Sequence, residues 1–536
     1  MTELVRLPPR LRPDPPHAAP PRGFVARAAA LTAGLSVAGS VLGLLRDQVI
    51  ARLFGAGAGS DAFLVAWTVP ELAATVLIED AMALLLVPAF SAALARGGTN
   101  ALVRGTLPRL AALLAAATAA LCAAAPLVVH LLAPGLADPR LAVSCTRLTA
   151  ATVLTFGLTG YLSAALRAHH RFLPPAAVYV AYNVGIVSTL LALHGRWGVQ
   201  SAAAGVAVGG ALMVLVQLPS FVRALRPGAA GDGVQAAPLA DPAPPGAPRP
   251  FPVQRRARVP IGLALVVPVV LFAVARQAQV LVERFFAAGL PAGAISHLNY
   301  AQKVAQLPMA LSIMVCTVTF PVVARALAAG DRERARQRVE RDLTLACVVV
   351  LLGTAYVIAC APQIIQTLFQ RGAFDQADTA ATAAVMRVYA LGLLGQSLVG
   401  ALIRPYFSAG RPTWYPVAAM AAGLGLTAVA DTAAVSAWGA YGIAAGNAAG
   451  ISLTAVLLLR GLAARAVPVR VAALVAAVCP YVLAAAAATG AGWCTTRLLP
   501  GPAVLVAAAC CLTVPLAFAA AAAAAGAPVR SLPHAV

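Results

Sequence analysis

Residues 107–133 read LPRLAALLAAATAALCAAAPLVVHLLA, an apolar run with Arg109 near its start and His130 near its end. About 20 residues of this kind, wound into a helix, span the hydrocarbon core of a bilayer. Similar runs follow one another along the chain with short polar breaks between them. We place about 14, near residues 26–46, 61–92, 107–133, 141–166, 173–194, 198–222, 259–288, 294–324, 339–369, 379–407, 413–438, 440–459, 468–490 and 502–526. The sequence therefore predicts an all-α polytopic membrane protein.

The composition supports this fold class and excludes others. The 536 residues are 61% hydrophobic and 11% charged, whereas soluble domains are roughly 45–50% apolar and about 25% charged. Soluble enzymes and nucleic-acid-binding proteins are excluded on this ground. The nine cysteines form no CxxC pair, and the sequence has no nucleophile–base set or metal-ligand cluster. We therefore expect a transporter and not an enzyme.

The basic residues predict the orientation. The net charge of +21 comes from 39 Lys and Arg against 18 Asp and Glu. Most of the cations fall before the first span, after the even-numbered spans and in the C-terminal tail, while the other loops hold few, such as Arg52 and Arg140. Lys and Arg concentrate in the cytoplasmic loops of membrane proteins. We expect a multi-pass protein of the bacterial cytoplasmic (inner) membrane with both termini in the cytoplasm and no nucleic-acid partner.

Two halves of the chain repeat one another. The stretch ARLFGAG at 51–57 is similar to ERFFAAG at 283–289, and VPAF at 87–90 is similar to FPVV at 320–323. Transporters use parallel repeats and bind substrate between the halves. The predicted organisation is a disordered cytoplasmic tail (1–25), an N-lobe of six helices (26–224), a Pro/Ala/Gly-rich cytoplasmic linker (225–258), a C-lobe of six helices (259–462), two further helices (463–527) and a cytoplasmic tail (528–536).

Charged residues inside the spans are the candidate functional residues, because each costs about 2.5–3.5 kcal/mol to insert. Lys303, the sole lysine, stands between Gln302 and Gln306. A mixed polar lining suits a large amphiphile with an anionic head. We expect a central substrate-binding cavity that includes Arg46, Asp47, Asp61, Arg276, Arg284 and Lys303. The alternative for the residues near span ends is that they snorkel or pair locally; these are Arg46, Asp47, Arg52, Glu283 and Arg284.

Several motifs, taken in order, resemble the MviN/MurJ family of lipid II flippases, within the MOP (multidrug/oligosaccharidyl-lipid/polysaccharide) exporter superfamily. They are VLGLLRD at 41–47, FGAG at 54–57, SDAF at 60–63, PEL at 70–72, APG at 133–135, LNYA at 298–301, QLP at 306–308, LFQRGAF at 368–374 and YFS at 406–408. The resemblance covers about residues 28–465. It implies alternating access between two six-helix lobes, with the headgroup of a polyprenyl-diphosphate-linked precursor in a cationic cavity. It also implies that membrane lipid surrounds the lipid tail along a groove built with the last two helices.

The chain departs from the family pattern at cationic positions. Arg46, Asp47 and Asp61 match charged family positions, but Lys303 stands where arginine is usual. Arginines of the family are replaced by Ser40, Ala74 and Thr75, and Gln302 replaces an acid. The first hypothesis is therefore a lipid II flippase that moves its substrate from the inner to the outer leaflet, or a divergent paralogue of one. Two other hypotheses stay open: an ion-coupled exporter of another lipid-linked or amphipathic metabolite or drug, and a non-transporting scaffold for cell-wall synthesis or division proteins.

The resemblance also suggests which energy source could drive transport. Some family members hold a sodium ion in the C-lobe with Asp and Asn oxygens, which hard cations prefer. Asp431 and Asn447 can supply such ligands. We expect no cofactor apart from a coupling ion or the membrane potential. The alternative is that Asp431 is protonated or hydrogen-bonded within the bundle.

Overall fold

The structure, a computed structural model, describes residues 22–226, 263–309, 311–312, 331–408, 413–465 and 467–526. The predicted tail 1–25 lies outside these residues except for its last four, and the predicted linker 225–258 lies outside them except for its first two. The predicted tail 528–536 lies outside them entirely. What is described consists of helices, short turns and one π-helical stretch.

Seventeen α-helices are described, numbered here in chain order. They are α1 (Arg22–Phe54), α2 (Ala58–Ala73), α3 (Ala81–Ala95), α4 (Thr99–Leu132), α5 (Pro139–Ala168), α6 (Leu173–Ala176), α7 (Val178–Trp197), α8 (Gln200–Leu225), α9 (Leu263–Ala287), α10 (Ala294–Ala305), α11 (Arg332–Phe369), α12 (Gln376–Ala390), α13 (Leu393–Ser408), α14 (Tyr415–Trp438), α15 (Ala440–Arg465), α16 (Val471–Leu498) and α17 (Ala503–Ala524). The π-helical stretch Ala74–Asp80 joins α2 to α3.

The predicted all-helical membrane architecture is confirmed. Among the described residues, 11 helices are long and apolar enough to cross a membrane, or 12 if the bent pair α12 and α13 forms one span. The spans predicted at 259–288 and 294–324 correspond to α9 and α10, and both run beyond the described residues. Each of the 14 predicted spans thus coincides, in whole or in part, with a described helix or helix pair.

The two halves contain equivalent helical hairpins. In one, Gly198 follows the last residue of α7 and precedes α8; in the other, Gly439 follows the last residue of α14 and precedes α15. Gly198 and Gly439 adopt left-handed backbone conformations, with φ of 51° and 53°. Glycine adopts this conformation without a steric penalty and commonly ends helices. The repeated hairpin agrees with the internal duplication read from the sequence.

The hydrophobic core shows how the halves meet. We call the side at which α1 begins the proximal face and the side at which it ends the distal face. Near the distal face one continuous buried cluster joins the two halves, with Ile50 and Val129 from the first and Leu298 and Phe374 from the second. Near the proximal face the halves have separate clusters, around Tyr161 in the first and Tyr406 in the second. Over the residues described, the halves therefore share one core distally and have separate cores proximally.

The last two helices form an appendage on the second half. Helices α16 and α17 pack against each other and against α11. A separate cluster fills this contact, with Ala355 from α11, Tyr481 from α16 and Phe518 from α17. The first half has no counterpart of this pair among the described helices.

Candidate functional site

A buried charged network joins the two halves in the distal third of α1. Asp47 accepts hydrogen bonds from Arg46 at 2.8 Å and 3.0 Å through one oxygen, and from Lys303 Nζ at 3.0 Å through the other. Arg46 also donates to Asn183 Oδ1 at 3.1 Å. Both cations lie over the Trp67 ring, with Arg46 Cζ 4.4 Å and Lys303 Nζ 5.6 Å from its centroid. One carboxylate thus holds two cations, and aromatic stacking adds cation–π attraction.

A second ion pair crosses between α2 and α9. Arg284 Nη2 lies 3.1 Å from Glu71 Oε2, and Arg284 Nη1 donates to the Thr68 hydroxyl. The Arg284 side chain is buried and Glu71 is one-third exposed. Arg284 therefore binds residues of the opposite half and does not snorkel toward an aqueous face.

At the distal face Asp61 caps a helix of the other half. Helix α10 begins at Ala294 with no capping side chain of its own. Asp61 instead accepts hydrogen bonds from the amide of Gly293 at 2.7 Å, and from the amide and hydroxyl of Ser296 at 2.8 and 2.6 Å. The first amides of a helix lack partners within it, and an anion there also interacts well with the helix dipole. Asp61 thereby ties α2 to the start of α10.

Two turns complete the distal closure. The Ala373 amide donates to the Arg52 carbonyl at 2.8 Å, and the Ala56 amide donates to Asp378 Oδ2 at 3.2 Å. A side chain at Gly55 would collide with the Ala373 carbonyl, which shows how closely the two backbones approach. Backbone contacts between the halves therefore seal this face.

On the proximal side a cavity of about 430 Å³ opens between the halves. Its described lining comes from α2, the π-helical stretch, α9, α10 with the residue that follows it, α13 and α15. The ionisable residues in that lining are Arg276 and Glu71. Five glutamines also line it, namely Gln277, Gln279, Gln302, Gln306 and Gln396.

The six residues expected to line a central cavity fall in three places. Arg276 lines the cavity, and Thr75, which replaces a family arginine, lies beside Glu71 in its wall. Arg46, Asp47, Arg284 and Lys303 form the two networks that join the halves. Asp61 lies in the distal closure. Gln277, Gln279 and Gln396 also line the cavity and were not predicted to do so, although amide side chains in otherwise apolar spans could have indicated it.

The C-terminal half contains a buried polar cluster near Asp431 and Asn447. Glu283, expected as one alternative to snorkel or pair locally near a span end, is buried there: its carboxylate accepts from Tyr389 Oη at 2.6 Å and from Asn447 Nδ2. Neither carboxylate oxygen of Asp431 has a hydrogen-bond partner, and neither does Asn447 Oδ1. Three buried oxygens without donors fit a proton or a monovalent cation. The described residues contain no group of three or more His, Cys, Asp and Glu side chains placed to hold a metal.

Comparisons with known proteins agree with this architecture. The family model described as "Lipid II flippase MurJ" matches residues 50–509. Lipid II flippase MurJ of Burkholderia cenocepacia is 28% identical over 452 residues, which cover 82% of this chain and 84% of that protein. The probable lipid II flippase MurJ of Rhizobium meliloti is 26% identical over 391 residues, 71% of this chain and 70% of that protein.

Solved structures show the same fold. A lipid II flippase MurJ in an inward closed conformation aligns with a TM-score of 0.71 at 19% identity, covering 92% of this chain and 98% of that one. An inward-facing multidrug resistance MATE family transporter of the MOP superfamily aligns with a TM-score of 0.59 at 13% identity, covering 83% and 98%. With the family model matching most of its length, the chain belongs to the MurJ family of lipid II flippases, membrane transporters with a MOP-like fold.

Proposed function

We propose that the chain moves a polyprenyl-linked cell-wall precursor from the inner to the outer leaflet of a bacterial cytoplasmic membrane by alternating access. Family membership supports a lipid-linked precursor of the lipid II class as substrate. The observation that carries the mechanism is the asymmetry of the core: one cluster joins the halves distally, and two separate clusters flank the cavity proximally. A transporter closed on one face and open on the other is in one of its two access states.

The proximal face is the cytoplasmic one in this proposal. Arg96 and Arg104 lie at the proximal ends of α3 and α4, and Arg223 lies at the proximal end of α8. The excess of basic residues on this side supports that orientation. The cavity is then open to the leaflet in which the precursor is made.

Translocation requires the distal contacts to separate. Side-chain links between the halves, among the described residues, include Asp61 with α10, Asp47 with Lys303, and Glu71 with Arg284. Each is polar, so water can satisfy the same groups when the halves part. These contacts hold the closed state while leaving it reversible.

A coupling ion would bind beside Asp431. Asp431, Asn447 and Glu283 are the residues that would hold it, since Asn447 donates to Glu283 and Asp431 Oδ1 lies against Gly446, the residue before Asn447. A bound cation would supply the energy of its gradient. An unneutralised, unpaired carboxylate is costly inside a membrane, and this supports either a cation or a proton at Asp431.

The lipid tail would stay in the bilayer beside the last two helices. A groove of about 340 Å³ lies between α11 and α16 near the proximal face, with Glu340 and Arg341 on one wall and Leu474 on the other. Polar groups at its mouth and exposed apolar residues on α16, such as Val475 and Leu483, suit an amphiphile that lies partly in lipid.

Reconstitution tests the proposal. The purified full chain in liposomes is expected to move a fluorescent polyprenyl-linked glycan between leaflets, measured by the access of an external quencher. Drug efflux without lipid movement would favour the exporter alternative. Movement of neither compound by correctly inserted protein, with retained binding to cell-wall or division proteins, would favour the scaffold alternative and contradict the proposal.

A further inference from the structure

Helix α11 is kinked in its distal quarter. Cys360 has a φ of −107° and a ψ of 16°, which are not helical values. Pro362 follows two residues later and has no amide to donate to the carbonyl of Ile358, four residues before it. A proline inside a helix removes this hydrogen bond and presses its ring against the same carbonyl, and this is a common cause of kinks. The kink divides α11 into a long proximal part and a short distal part that ends at Phe369.

Arg387 of α12 replaces the donor that Pro362 lacks. Its Nε donates to the Ile358 carbonyl at 3.1 Å. Its guanidinium also lies over the half-exposed ring of Trp493 on α16, with Cζ 5.7 Å from the ring centroid. A carbonyl without a partner is costly inside a membrane, so the hydrogen bond from Arg387 stabilises the kinked form of α11.

Arg387 holds this position without a carboxylate. Over the part of the chain that the structure describes, it forms no ion pair with an acid. A second cation, Arg497, lies over the same Trp493 ring, with Cζ 5.3 Å from the centroid. Breaking a buried salt bridge leaves an uncompensated charge and is very costly. Arg387 would instead leave a neutral carbonyl and a half-exposed indole, which suits a contact that forms and breaks.

The kink marks a change in what α11 packs against. Before it, Ala355 and Ala359 lie in the cluster that joins α11 to α16 and α17. Beyond it, the buried apolar residues Ala361, Ile365 and Phe369 all lie in the cluster that joins the two halves. The proximal part of α11 is thus attached to the last two helices, and the distal part is attached to the distal closure.

The distal part of α11 carries a turn that contacts the first half. Phe369 ends the helix, and its ring lies 5.0 Å from that of Tyr300, while Phe374 in the turn lies 5.9 Å from the same ring. Between them, the Ala373 amide donates to the Arg52 carbonyl at 2.8 Å. Since the turn packs with the end of the helix, a change of the bend in α11 moves the residue that binds Arg52.

We infer that Arg387 is the positioning residue of a hinge in α11 that moves this turn. While Arg387 binds the Ile358 carbonyl, the distal part of α11 holds the turn against the first half. When the distal face opens, the bend at Cys360 changes and residues 361–374 move away from Arg52. The inference rests on the proposed alternating access, and it identifies a segment of the second half that moves.

Hydrogen–deuterium exchange of the full chain in nanodiscs, read by mass spectrometry, tests the hinge. Arg387→Ala should raise amide exchange over residues 361–374 by about tenfold, because a hydrogen bond from a charged donor stabilises by at least that factor. Exchange over residues 343–357, in the proximal part of the same helix, should stay unchanged. A general loss of stability would raise exchange in both segments, so their ratio reports the hinge.

The matched control for this measurement is Arg497→Ala. Arg497 shares the Trp493 ring with Arg387, but its removal leaves the hydrogen bond from Arg387 to the Ile358 carbonyl in place. Exchange over both segments of α11 should therefore equal that of the unchanged chain.

Pro362→Ala separates the hinge from ordinary packing. Alanine returns an amide that donates to the Ile358 carbonyl, so Arg387→Ala should no longer raise exchange when the two changes are combined. Pro362→Ala alone should make liposomal flipping of a fluorescent polyprenyl-linked glycan about tenfold slower, because the helix no longer bends there. The control is Pro126→Ala, since Pro126 lies six residues before the end of α4, the third span of the first half. It should leave the flipping rate within about twofold.

The outcomes separate the hinge from the proposed function. A rise in exchange that is confined to residues 361–374 in Arg387→Ala, and is suppressed by Pro362→Ala, would support the hinge. Unchanged exchange over this segment, an equal rise over residues 343–357, or unchanged flipping in Pro362→Ala would overturn the hinge and leave the flippase function in place. If the unchanged chain flips no lipid, the proposed function is overturned, and this role of Arg387 with it.

Discussion

Asp61 completes a helix that belongs to the other half of the molecule. Its carboxylate takes the Gly293 and Ser296 amides and the Ser296 hydroxyl, a set usually met by a residue of the same helix. Because the cap exists only while the halves are in contact distally, Asp61 links helix stability to the access state. Asp61 therefore stabilises both the start of α10 and the distally closed conformation.

Removing this cap should open the distal face. Asp61→Ala is expected to lower stability by about 1–2 kcal/mol, the usual effect of losing a cap, and to raise the labelling rate of a cysteine placed at Ala56. The control is Asp138→Ala, since Asp138 caps α5 through the Leu141 amide at 3.0 Å within one half. Equal labelling in the two variants would contradict a role for Asp61 in distal closure.

Asp47 accepts from both Arg46 and Lys303, so Asp47 and Lys303 should be energetically coupled. In a double-mutant cycle with Asp47→Asn and Lys303→Met, we expect a coupling energy of about 1–3 kcal/mol in unfolding from mixed micelles. The structure places the two groups 3.0 Å apart in a largely buried site. Strictly additive single effects would show that the contact between Asp47 and Lys303 contributes nothing to stability.

The sequence identified the charged residues but not their pairing. Arg46, Asp47 and Lys303 stand out as charges in apolar spans, and the structure brings them together. Trp67, over which both cations lie, carries no such signal because aromatic residues are common in membrane helices. Glu283 is near the end of an apolar run, yet the neighbouring helices bury it; burial by other helices cannot be read from one span alone.

At the scale of helices, α14 and α15 pack through small residues. A side chain at Gly423 would overlap Thr454 Oγ1, and one at Gly450 would overlap Thr427 Oγ1. Membrane helices associate closely where glycine lets their backbones approach. This contact places Asp431 of α14 beside Asn447 of α15, so it supports the buried polar cluster.

Filling the contact should separate the two helices. Gly423→Ala is expected to destabilise the protein by about 1–3 kcal/mol, the typical effect of overpacking, and to lower its melting temperature in detergent. Gly425→Ala is the matched control, since nothing lies within 4 Å of the added methyl group. If the two alanine variants melt at the same temperature, the close packing of α14 on α15 is not a source of stability.

Helix positions were largely predictable, and helix irregularities were not. Apolar runs locate the spans because a membrane helix must be apolar over its length. The span predicted at 379–407 is two helices bent by 50°. The break coincides with Gly392, where a side chain would meet the Ala448 backbone at 2.9 Å. That constraint comes from a helix distant in sequence.

At the scale of the whole molecule, Asp431 is the expected link between transport and an ion gradient. Asp431→Asn should make flipping driven by an ion gradient more than about tenfold slower, equivalent to about 1.4 kcal/mol in the barrier. Movement of the lipid probe down its own concentration gradient should remain measurable. The control is Glu333→Gln, on the exposed proximal end of α11. A variant that still responds fully to a sodium or proton gradient would exclude Asp431 as the coupling site.

In the proposed mechanism the two halves separate and close alternately at the two faces. A covalent lock on the distal face tests this mechanism most directly. The Ala56 amide and Asp378 Oδ2 lie 3.2 Å apart on opposite halves. The full chain carrying Ala56→Cys and Asp378→Cys is reconstituted in liposomes and treated with a short, reducible methanethiosulfonate cross-linker. Each single-cysteine variant, treated in the same way, is the control.

The measured quantity is the flipping rate of a fluorescent polyprenyl-linked glycan before cross-linking, after cross-linking and after reduction. We predict that cross-linking stops flipping in the double variant alone and that reduction restores it. Flipping that continues at the original rate in fully cross-linked protein would contradict alternating access through separation of the two halves.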